Sequence, residues 1–156
     1  ARSDTWKDGR VGESDIAHVR EFFGRQATGA LKVLAAHHPF IPPDRDPGEA
    51  IVGRAKLALA MLAESGCSLI LAGHLHHAYA GDVRPHHVEV QRSILVVQAG
   101  TAMSRRRRDE ANAFNLLSID QGGLELDVRT WQGSAFATSG KRLFEYGESG
   151  WAVRPA

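Results

Sequence analysis

The stretch Ser68-Leu69-Ile70-Leu71-Ala72-Gly73-His74-Leu75-His76-His77 constrains this chain more than any other. A short apolar run that ends on glycine reads as a buried strand followed by a turn. The turn delivers histidines at the carboxyl end of the strand, where open α/β sheets place their ligands. His74 and His76 are two residues apart, so extended backbone sets both imidazoles on one side, whereas a helix would set them nearly opposite. Two imidazoles on one side of a strand exit suit a metal ion.

A second segment repeats the form. Residues 31–36 are apolar apart from Lys32 and lead into His37-His38-Pro39-Phe40. The proline stops a strand and holds His38 extended, which leaves His37 where the chain exits the sheet. Between the two segments, residues 50–65 carry Ile51, Leu57, Leu59, Met61 and Leu62 among alanines, with Gly66 as the stop, and predict a helix. Strand, helix, strand predicts a βαβ unit with parallel strands and a right-handed crossover. That topology gathers His37, His74 and His76 at one edge.

The order strand, His-Xaa-Pro, helix, strand, Gly-His-Xaa-His resembles the second half of the calcineurin-like metallophosphoesterases. Further along, Gly100-Thr101-Ala102, an arginine-bearing loop and Asn112-Ala113-Phe114-Asn115 resemble the bacterial branch described as cyclic-nucleotide phosphodiesterase-like. The likeness runs over residues 10–135. The family's Asp-Xaa-His, Gly-Asp and Gly-Asn-His-(Asp/Glu) motifs, which precede these two in the family, do not occur before His37. The resemblance therefore implies that residues 1–156 are the C-terminal part of a single metallophosphoesterase domain. Such a part is an α/β fold, a βαβ unit followed by a mostly antiparallel sheet, within the family's α/β/β/α sandwich.

The resemblance further implies that His37 and His74 serve one metal and His76 another. The cofactors would be two divalent or trivalent transition metal ions (Mn, Fe or Zn) about 3.5–4 Å apart. The reaction implied is phosphoester hydrolysis, of a phosphodiester before a monoester, by a hydroxide bridging the two ions. Dications that close repel strongly and need a bridging carboxylate. The family takes it from the Gly-Asp motif; Asp44 or Asp46 would substitute only if their loop folded inward. The family's general acid is the histidine of Gly-Asn-His, so no catalytic acid is expected in this chain, which by itself should be inactive or nearly so.

Other residues have weaker readings. The loop 37–48 holds four prolines and should form a stiff wall beside the site. His38 and His77 flank the ligands and are candidates to orient a substrate phosphate or to back the ligands; a plain surface position is equally compatible. In Arg105-Arg106-Arg107-Arg108, Arg105 and Arg107 are candidates for guanidinium contacts to phosphate. A net charge of +1 argues against nucleic acid as the partner. The partner expected is a phosphoester small molecule such as a cyclic nucleotide. Asn112 and Asn115 match the same branch, and either hold the loop or touch substrate.

His86 and His87 read as structural or exposed, and Trp131, Phe136 and Phe144 as core. Cys67, the one cysteine, excludes an internal disulfide and reads as a small buried hydrophobe. A helix is expected at residues 13–26 and strands at 78–83, 87–91, 94–98, 113–119 and 124–131. The last two should be joined as a hairpin through Asp120-Gln121-Gly122-Gly123, with a weaker ribbon at 135–146. No run approaches the ~18 apolar residues of a membrane span, and a cytoplasmic location without membrane association is expected. The alternative function is a half-domain that binds metal or a partner without catalysis; a nucleic-acid-binding module ranks below it.

Overall fold

The computed structural model describes residues 9–103 and 110–154. Helix α1 (Glu13–Gly24) starts at Gly12, whose N–H donates to Asp15 Oδ2 at 3.3 Å, and it buries Ile16 and Phe23. Strand β1 (Val33–Ala35), helix α2 (Ala55–Glu64) and strand β2 (Leu69–Ala72) form the expected βαβ unit. The two strands are parallel, Val33 opposite Leu69 and Ala35 opposite Leu71. The helix starts at Ala55 rather than at residue 50. Val52 N–H already donates to Pro39 O at 2.8 Å and Gly53 N–H to Gly9 O at 3.1 Å, and Arg54 turns the chain at φ +67°. Backbone amides spent on those partners cannot also enter a helix ladder.

Strands β3 (Tyr79–Asp82) and β4 (Leu95–Gln98) complete a sheet of order β1-β2-β4-β3, in which β3 alone runs antiparallel. Residues 87–91, expected as a strand, are turns instead. The Val83 carbonyl accepts from both His86 and His87 N–H, and His87 O accepts from Val90 N–H. A chain folded on itself in this way has no edge to offer a neighbour.

The second sheet is an antiparallel meander of β5 (Ala113–Asp120), β6 (Gly123–Trp131), β7 (Phe136–Gly147) and β8 (Gly150–Arg154). The hairpin at 120–123 forms as expected, with Asp120 opposite Gly123. The ribbon expected at 135–146 is a single strand, and β8 follows it after a tight turn that the sequence reading did not anticipate. Gly150, at φ +96°, permits that reversal.

Alternation along the first sheet feeds two cores. Ile70 and Val96 face the helices and pack with Ile16, Phe23, Ala58, Leu59 and Leu62. Leu69, Leu95, Val97 and Ala80 face the second sheet and pack with Leu124, Leu126, Phe144 and Trp151. The described residues therefore form a helix layer, a mostly parallel sheet and an antiparallel sheet. Each large aliphatic side chain buried in these layers contributes about 1.5–3 kcal/mol. Cys67 is fully buried, as expected.

Of the three aromatics read as core, only Phe144 is. It opposes Leu124 on the inner face, whereas Trp131, seven residues beyond Leu124, falls on the outer face and opposes Phe136. Trp131 is 37% exposed and meets Phe136 edge to face at 5.2 Å between ring centroids. Among the described residues no helix is long and apolar enough to cross a membrane.

Candidate metal centre

Two hydrogen bonds carry the β1–β2 ladder one step beyond the strands. Ala36 N–H donates to Leu71 O and Gly73 N–H to His37 O, each at 2.9 Å. The two strand exits are thereby locked side by side, and the histidines that follow meet. His37 Nε2 lies 3.1 Å from His74 Nδ1, and His38 packs against both, with ring centroids 4.8 Å from His37 and 4.6 Å from His74. One ring nitrogen from each of His37, His38 and His74 lies within 4.8 Å of the other two.

The donor types suit a transition metal, which would draw the three rings inward from their spread of up to 4.8 Å and replace the hydrogen bond between His37 and His74. Two nitrogens each about 2.0–2.1 Å from a tetrahedral zinc are about 3.3–3.4 Å apart, close to the His37–His74 separation. Neutral imidazoles suit zinc and iron better than manganese, which prefers oxygen. Among the described residues no carboxylate joins the group. Asp44 and Asp46 are exposed, and Asp46 Oδ1 accepts Gly48 N–H at 3.2 Å, so their loop turns its carboxylates outward.

The backbone that presents the second histidine pair differs from the expected extended form. His74 has φ +77° and His76 φ +62°, left-handed values that cost a residue with a Cβ about 1–2 kcal/mol. The conformation is held from both sides: the Gly73 bond to His37 fixes its start, and Leu75, 2% exposed, is anchored in the interior. Strand alternation therefore does not govern where His74 and His76 point. His76 is not among the three rings that converge, while His38 is.

His77 is buried and turns to a carboxylate. Its Nδ1 lies 2.9 Å from Glu110 Oε1, a close contact without hydrogen-bond alignment, and the same oxygen accepts from Arg45 Nη1 at 3.1 Å. Glu110 thus ties the histidine turn to the proline-rich loop. The first part of that loop is anchored, with Phe40, Ile41 and Pro43 buried and Tyr79 Oη donating to Ile41 O at 2.5 Å, while residues 44–48 are exposed. Burial pushes the Tyr79 phenol well above its ordinary ionisation range. Arg105 and Arg107 lie outside the described residues. His86 is exposed and His87 structural, its ring pairing with the Phe40 carbonyl at 3.1 Å.

Unmet polar groups collect at this end of the sandwich. Asn115 Nδ2 donates to Gln98 O at 3.1 Å, and Asn112 O accepts Trp131 N–H at 2.7 Å. Yet the Oδ1 atoms of both asparagines and both side-chain polar atoms of Gln98 are buried without a hydrogen-bond partner among the described residues. Each such atom costs about 1–3 kcal/mol, and a concentration of them at strand ends marks a region shaped for more than its own packing. Gln98 was missed in the sequence, although a lone amide ending the run Leu95-Val96-Val97 was a usable signal.

Gly9 was missed as well. It has φ +68°, and a Cβ placed on it would stand 2.4 Å from His38 Nδ1. Gly9→Ala is expected to displace the His38 ring and to destabilise the fold by roughly 1–3 kcal/mol through overpacking and strain. Thermal unfolding and a cobalt titration check this; wild-type midpoint and affinity together would show that the His38 ring does not need the space at Gly9.

No protein-family model matches the chain, and no curated protein matches it either. Among solved structures, a single mutant of Vps29 from Entamoeba histolytica is similar at 17% sequence identity and a TM-score of 0.38, over 59% of this chain and 47% of that one. This chain thus spans about half the length of that solved protein.

Proposed function

We propose that this chain carries the histidine half of a metal-dependent phosphoester hydrolase centre, acting on a phosphodiester such as a cyclic nucleotide. In this reading residues 1–156 are the C-terminal part of one domain, and the remaining ligands and the general acid come from sequence beyond it. The observation that carries the proposal is the convergence of three ring nitrogens, from His37, His38 and His74, at the carboxyl ends of two parallel strands. The motif order around those strands is what points from metal binding to phosphoester chemistry.

A transition metal held there would supply Lewis acidity toward phosphoryl oxygens. The chain's own residues do the positioning. His37 and His74 present nitrogens from strand exits that two backbone bonds hold together, and the His38 ring occupies the space that a side chain at Gly9 would fill. Glu110 holds His77, and so the end of the histidine turn, against Arg45. His76, one residue past buried Leu75, is left as the candidate ligand for a second ion. A cytoplasmic location belongs to the same proposal.

A second reading, a half-domain that binds metal or a partner without catalysis, is favoured by one observation: the histidine group recruits no carboxylate among the described residues. Metal analysis and a diester assay separate the two. The purified chain, loaded with zinc or iron, is expected to retain about one ion per chain and to leave bis(p-nitrophenyl) phosphate intact. Hydrolysis is expected once a segment that supplies the family's Gly-Asp and Gly-Asn-His motifs is joined to it. Retention of far less than one ion sinks the hydrolase reading and metal binding by the half-domain alike, and leaves only partner binding. Metal retention with no hydrolysis in the extended protein leaves the binding half-domain.

A further inference from the structure

The geometry points to a second binding site, for a small phosphate-bearing anion, at the end of the sandwich opposite the histidines. A cleft of about 590 Å³ opens there, where β1, β2 and β4 begin, between the loop 26–32 and the β5–β6 hairpin. Its walls include Lys32 and Arg92. Each is fixed by a backbone carbonyl: Lys32 Nζ donates to Ser65 O at 2.9 Å, and Arg92 Nε to Cys67 O at 3.2 Å. Gly66, at φ +80°, leaves the space over which the ammonium sits, since a Cβ there would lie 3.4 Å from Nζ.

Neither cation has a carboxylate within ion-pair distance among the described residues. Arg84, Arg129 and Lys141, by contrast, each have one within 2.9 Å. The two acceptors, Ser65 O and Cys67 O, belong to the residues on either side of Gly66, so both cations are tied to one short stretch of the cleft. The lining also has an aromatic part: Tyr146, 37% exposed, rests edge-on against Trp151, and the Trp151 indole donates to Ser68 O at 2.7 Å. Asp120 is the carboxylate on the lip, and its Oδ1 curls back over Gly123, 3.1 Å from where a Cβ would be.

This combination selects its ligand. Two fixed cations without counter-charges match a dianion better than a single carboxylate, and the Nη atoms of Arg92 remain to fork onto an oxyanion. The Tyr146 ring offers an apolar face to whatever the phosphate carries. The site shares no residue with the histidine group, so it stands or falls independently of the metal reading.

The test is calorimetric titration of the full chain, stripped of metal with EDTA, with AMP and with inorganic pyrophosphate at constant ionic strength. Saturable binding is expected, weakened at least tenfold in Arg92→Gln and in Lys32→Gln and retained in Lys32→Arg and His74→Asn. Circular dichroism confirms that each variant is folded. Tighter binding of AMP than of pyrophosphate assigns the ring contact to Tyr146, and equal binding leaves the phosphate as the whole determinant; both support the site. No saturable binding to the wild type overturns the inference, as does binding unchanged in Arg92→Gln and Lys32→Gln or lost in His74→Asn.

Discussion

Replacing His74 is expected to abolish stoichiometric binding of zinc or cobalt, with affinity falling at least a hundredfold. Even residues that merely orient a metal ligand are worth about 10–100-fold, and His74 places its Nδ1 3.1 Å from His37 Nε2 within the group. The variant to make is His74→Asn rather than alanine, because the residue sits at φ +77° and asparagine tolerates that region better than other residues with a Cβ. The turn then survives and the loss reports the ligand. Cobalt absorption in the visible range reads coordination directly. The informative comparison is with His38→Ala and His76→Ala. The observed convergence predicts that the His38 variant loses nearly as much as the His74 variant, while the His76 variant keeps the first ion. The reverse ranking would show that the motif spacing, and not the meeting of the three rings, defines the ligands.

That comparison marks where sequence reading stops. The βαβ unit was legible because hydrophobic spacing changes from strand-like at 31–36 to helical at 50–65 and back at 68–72, and parallel pairing follows from a crossover of that length. The Asp120–Gly123 hairpin was legible because its turn chemistry is local. What was not legible depends on contacts far apart in the chain. Whether His74 is extended or left-handed is decided by the Gly73 bond to His37 and by the anchoring of Leu75, neither of which spacing reveals. The seating of the His38 ring over Gly9, and the Glu110 contacts to both Arg45 and His77, join residues distant in sequence. Local signals even misled at 87–91, where polar and apolar residues alternate but the Val83 carbonyl closes the chain into turns.

The largest stability effect is expected from β8, the strand that local pattern did not announce. Trp151 is 7% exposed between the sheets, its indole N–H donates to Ser68 O at 2.7 Å and its backbone N–H to Ser93 Oγ at 2.8 Å. Trp151→Ala should cost about 3–5 kcal/mol through lost burial and the cavity left behind. At about 2–4 °C per kcal/mol for a chain of this size, the melting midpoint should fall by roughly 6–20 °C. Trp151→Phe separates the two contributions. It keeps most of the ring and removes the indole donor, and Ser68 O retains the Leu95 N–H at 3.1 Å, so no acceptor is orphaned and the cost should be only about 0.5–1.5 kcal/mol. Denaturant unfolding followed by circular dichroism measures both. If the alanine variant unfolds at the wild-type midpoint, the side chain that joins the last strand to the first sheet carries no weight. The fold would then have to be held by the β5–β7 meander against the first sheet alone.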